Sequence, residues 1–89
     1  MARIKLNILR MFEGREVVKE PIRIGQIVRQ QRKATKLTQR QAAHLCGVGV
    51  RFLSDLENGK ASLQFGKVLR VLRGFGLLVI LKKRTLSND

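Results

Sequence analysis

Few side chains in this sequence are spaced for bond-making chemistry. His44 is the only histidine and Cys46 the only cysteine. Two positions apart on a helical pattern, they share no face, and neither has metal-ligand spacing to another donor. Cys46 reads as a small core residue rather than a nucleophile or sensor. Gly74 and Gly76 lack the flanks of a phosphate-cradling loop, and no two carboxylates are placed for acid–base work. No enzyme, cofactor or metal is expected. What remains is recognition by hydrogen bonds. Arg51 can offer two parallel N–H donors, the geometry that reads guanine O6 and N7 and discriminates by about 1–3 kcal/mol. Its alternatives are a phosphate contact and a free surface arginine. Gln39 directly follows a capping threonine, where a helix N-terminus turns backbone N–H groups and a dipole toward a phosphate. Its alternative is a plain surface glutamine. Asp55 either accepts from cytosine N4 or pairs with Arg51 four residues earlier. Val50 suits a thymine methyl.

The stretch LTQRQAAHLCGVGVRFLSDLENGK, Leu37 to Lys60, must position these groups. Thr38 with Gln41 three residues on is a capping box, which opens a helix carrying Ala42, Ala43, Leu45 and Cys46. These small apolar residues let a second helix approach closely. Gly47-Val48-Gly49 stops that helix, since glycine accepts positive φ. A second helix runs from about Val50 to Asn58, with Val50, Leu53 and Leu56 at helical spacing, and Asn58-Gly59 closes it. Two short helices, a glycine turn and basic flanks make a helix-turn-helix, whose second helix can enter a DNA major groove. The residues facing bases would be Gly49, Val50 and Arg51, then Ser54 and Asp55 a turn later. Asn58, Lys60, Arg40 and Lys36 flank the groove as phosphate neighbours, the alternative being solvated loop residues.

Composition sets the outer bounds. The chain has 89 residues, with 19 Lys and Arg against 6 Asp and Glu, a formal charge of +13. That surplus destabilises an isolated compact fold by self-repulsion and suits a polyanionic partner. One cysteine cannot form an internal disulfide, which fits a reducing cytosol. No signal peptide is read, and Leu77 to Leu81 falls far short of the roughly 20 apolar residues that span a bilayer. A cytoplasmic protein with no membrane partner is expected. An RNA-binding role is disfavoured, with only four Phe and no Trp or Tyr for base stacking.

The flanking segments complete the architecture. In residues 1–20, Ile4, Leu6 and Ile8 alternate with polar residues, and Val17-Val18 could return as a second strand past a turn at Glu13–Glu16. The alternative is a mobile basic arm. Pro21 opens an amphipathic helix from Ile22 to Lys36, with Ile24, Ile27 and Val28 on one face. Ser62 can cap a further helix through about Arg73, carrying Phe65, Val68, Leu69 and Leu72. Leu77, Leu78, Val79, Ile80 and Leu81 read as a strand apolar on both faces, whose natural mate is the same strand of a second copy, the alternative being the N-terminal segment. The fold class expected is mainly α, a four- to five-helix bundle with a helix-turn-helix. It comprises an arm or β-element at 1–20, a domain at 21–76, a dimerisation strand at 77–84 and a tail at 85–89.

Residues Gln26 to Lys60, with LTQ, VGV and LSDLENGK at these places, resemble the DNA-binding domain of the phage-repressor-like (XRE- or Cro-type) transcription factors. IVRQQRK in the first helix and the short C-terminal strand make the chain most similar to antitoxins that pair with HipA-type serine/threonine-kinase toxins. That resemblance implies a homodimeric repressor of its own operon, joined through the last strand, which binds double-stranded DNA at a palindromic operator and holds a kinase toxin inactive. It also implies the phosphate contact at Gln39 and a buried ion pair between Arg32 and Glu57. A stand-alone repressor without a toxin is the alternative.

Overall fold

The computed structural model describes residues 15–83, which form four helices. Pro21–Ala34 is α1, entered with proline in its first turn, where a missing N–H leaves no bond unmade. Gln39–Cys46 is α2; Thr38 Oγ1 accepts from Gln41 N while Gln41 Oε1 accepts from Thr38 N, closing the capping box. Val50–Glu57 is α3 and Phe65–Gly74 is α4.

All four helices end in the same way. The final turn is closed by a six-to-one and a five-to-two backbone bond around one left-handed residue, the Schellman arrangement. After α2 the pair is Val48 N to Ala43 O and Gly47 N to His44 O; after α4 it is Leu77 N to Leu72 O and Gly76 N to Arg73 O. Glycine holds the left-handed place after α2, α3 and α4, but after α1 it is Lys36, at φ 59°. The expected helix to Lys36 therefore stops two residues sooner, at Ala34.

The core is Val28 from α1, Ala42, Ala43 and Cys46 from α2, Leu53 and Leu56 from α3, and Val68, Val71 and Leu72 from α4. α3 packs against both α1 and α2, and α4 against α2. Gly25 makes the first of these crossings possible. A Cβ there would lie 2.2 Å from the Leu56 carbonyl oxygen, so only glycine lets α1 lie on the end of α3. Leu45 turns outward, 69% exposed, so the close approach on α2 belongs to Ala42, Ala43 and Cys46 alone.

Several expectations are corrected. Ser62 does not cap α4; Gln64 does, without a side-chain bond. The chain spends Ala61–Leu63 feeding Leu63 into the edge of the core before it coils. No fifth helix and no strand form among the described residues. Leu77–Leu81 has no regular structure, because a lone strand has no ladder to join. Leu77 packs against its own core, and only Leu78, Val79, Ile80 and Leu81 stand exposed. Val17-Val18 forms no strand either. Glu16 there is bound to Arg23 of α1 through two parallel contacts. The strand expected over Ile4 to Ile8 lies outside the described residues, as do Arg84 and the tail. No described helix is long and apolar enough to cross a membrane.

Candidate nucleic-acid interface

The hydrophobic pattern of α3 decides which of its faces is presented outward. Leu53, Leu56 and Glu57 are buried and anchor the helix on α1 and α2. Val50 and Arg51 are exposed, and Ser54 and Asp55 are half-buried beside them. With Gly49, which precedes the helix in extended conformation, these residues form one outward strip. A strip of this kind on a short, firmly seated helix can meet base edges without disturbing the core. Gly49 has neither positive φ nor a neighbour that a Cβ would strike.

Behind the strip lies a part-buried polar network centred on the buried Glu57. Arg32 of α1 donates from Nε to Glu57 Oε2 at 2.7 Å and from Nη2 to Oε1 at 3.0 Å, and from Nη1 to the Leu37 carbonyl at 2.9 Å. Gln39 Nε2 donates to Glu57 Oε1 at 3.0 Å. One fork thus fixes α1, the turn before α2, the start of α2 and the end of α3 against each other. Burial alone raises the Glu57 pKa. The hydrogen bonds from Arg32 and Gln39, with the Arg32 and Arg29 charges, outweigh it and hold the carboxyl below its ordinary 4.5. The Gln39 contact carries no signal at the level of spacing, since it joins residues eighteen positions apart across two helices. Half-buried at the first position of α2, Gln39 keeps one amide hydrogen and its oxygen beyond this bond.

The remaining polar residues distribute around the strip. Asp55 pairs with Lys60 at 3.7 Å rather than with Arg51; the C-terminal turn of α3 folds Lys60 back over it, its N–H bound to the Asp55 carbonyl. Arg40 and Asn58 are exposed at the starts and ends of α2 and α3. Lys36 is exposed on the turn between α1 and α2. On the far side, Arg70 of α4 donates to the Gly47 carbonyl at 3.0 Å, satisfying the end of α2. His44 is exposed and Cys46 buried, its thiol pushed up by desolvation.

Comparison with known proteins agrees with this geometry. Over 59 residues the chain is 49% identical to a protein of Sinorhizobium fredii described as the uncharacterized HTH-type transcriptional regulator y4mF, covering 66% of this chain and 78% of that one. A solved structure described as MDT Protein shares the fold with a TM-score of 0.69, over 80% of this chain and 100% of that one, at 17% identity. Residues 23–81 match the helix-turn-helix domain family. The chain belongs to that family, whose fold seats one helix so that its outer face can enter a groove of duplex DNA.

Proposed function

We propose that this protein is a sequence-specific DNA-binding transcriptional repressor that acts as a symmetric homodimer. The observation that carries this reading is α3 itself: a helix locked from behind by Leu53, Leu56 and Glu57, with Val50, Arg51, Ser54 and Asp55 turned outward. The relative named as a transcriptional regulator adds support. Arg51 reads guanine, Val50 touches a thymine methyl, and Gln39 with Arg40, Lys36 and Asn58 holds phosphates on the rims. No bond-making step is assigned, and the protein works in the cytoplasm.

Two copies join through the exposed apolar segment Leu78–Leu81. Leu78 is 88% and Leu81 94% exposed, a row of bare apolar side chains that a paired strand would cover. An open depression lined by Leu37, Leu45 and Phe75 lies beside the start of this segment and offers further apolar surface. The resemblance carried by IVRQQRK in α1 favours a second role as the antitoxin of a kinase toxin encoded beside it.

The DNA-reading role is tested by binding to a panel of base-substituted duplexes. Arg51→Ala relaxes discrimination at one position of each half-site, whereas Gln39→Ala weakens all sites alike. Uniform weakening by both sinks the assignment. Co-purification with the product of the neighbouring gene tests the antitoxin role. A neighbour without a kinase fold leaves a stand-alone repressor.

A further inference from the structure

Two flanks border the outward strip of α3. On one, Gln39 is bound to Glu57. The other carries Phe52 and Asp55, three residues apart on the same helix edge, and two lysines stand over it. Lys60 is already engaged there, its Nζ 3.7 Å from Asp55 Oδ2. Lys67, in the first turn of α4, holds its Nζ 5.9 Å from the centroid of the half-buried Phe52 ring. Among the described residues no carboxylate pairs with Lys67. The difference matters for a polyanion. A neighbouring carboxylate cancels much of a lysine's attraction for phosphate, whereas a ring face orients the ammonium and leaves its full charge outward.

We infer that Lys67, rather than Lys60, is the principal phosphate-binding cation on the Phe52 flank of α3, and that the Phe52 ring positions it. The inference rests on the DNA-binding reading above. Lys60, by contrast, screens Asp55, so that a carboxylate can stand in a groove walled by phosphates. On the Phe52 flank the full cation is Lys67, which adds to the counterion release of Arg40 and Lys36, whereas the Gln39 amide releases none.

The probe is a labelled duplex of mixed sequence, whose binding is dominated by phosphate contacts whatever the operator is. Affinity is measured against salt concentration for the full chain. Lys67→Gln lowers the magnitude of the log–log salt slope by about 1 per subunit bound, and Lys67→Arg restores it. Lys60→Gln lowers it by less than half as much. Phe52→Leu weakens binding about two- to five-fold when Lys67 is present and has no further effect in the Lys67→Gln background. A wild-type slope in Lys67→Gln, or a larger drop in Lys60→Gln than in Lys67→Gln, overturns the inference while the DNA-binding reading stands. Equal effects of Phe52→Leu in both backgrounds remove the ring from the account. Absence of duplex binding by the wild type overturns both readings together.

Discussion

Among the described residues the buried charged side chain is Glu57, a carboxylate inside an otherwise apolar seam. It is tolerable only because Arg32 and Gln39 meet both of its oxygens. Its lowered pKa makes a directional prediction. The folded state holds the proton less tightly than the unfolded chain, so the pair's stabilisation is complete above the ordinary carboxylate value. It is lost as pH falls through the depressed folded value. Denaturant midpoints measured from neutral pH downward should fall in that acidic window. Glu57→Gln should remove the part of the dependence that belongs to this group; an unchanged profile in that variant would contradict it. A cation for Glu57 could be anticipated from the cost of burying a lone charge, and the family resemblance supplied Arg32. The glutamine could not be anticipated, because only the folded crossing of α2 and α3 brings Gln39 to the carboxylate. Asp55 is the opposite case: helical spacing offers it Arg51, but the turn at Asn58-Gly59 delivers Lys60 instead.

At the scale of elements, starts and stops were legible where side-chain chemistry is local. Thr38 and Gln41 announce α2, Pro21 announces α1, and the glycines after α2, α3 and α4 announce their ends. Where the determinant is not local, the reading slips. Ser62 has the right chemistry for a cap, yet the pull of the core on Leu63 delays α4 to Phe65. Lys36 occupies a left-handed position that glycine fills in the other three helix ends, at a cost of roughly 1–2 kcal/mol for an L-residue. Lys36→Gly should therefore raise stability by about 0.5–1 kcal/mol, the gain being trimmed by glycine's greater unfolded entropy. The denaturation midpoint would report it. The same variant should bind duplex DNA more weakly, since a cation leaves the rim. Unchanged duplex affinity would return Lys36 to the solvated surface.

For the whole molecule, charge and an exposed apolar segment act together. A formal +13 opposes bringing two copies together, so a dimer needs the bare Leu78–Leu81 segment to overcome the repulsion. Truncation after Leu77 should leave the four-helix core intact, because Leu77 closes α4 and packs inside. It should yield monomers by analytical ultracentrifugation; a persisting dimer would move the interface elsewhere, with the Leu45–Phe75 depression as the next place to look. The apolar run was visible in the sequence but its secondary structure was not, because strand formation depends on a partner. The most direct measurement is selection of bound duplexes from a randomised pool. Two α3 helices related by a two-fold axis should enrich a palindrome whose half-sites lie about 34 Å apart, one turn of B-DNA, with guanine at the position whose preference Arg51→Ala abolishes. Enrichment of a lone half-site, or of no sequence at all, would contradict the account.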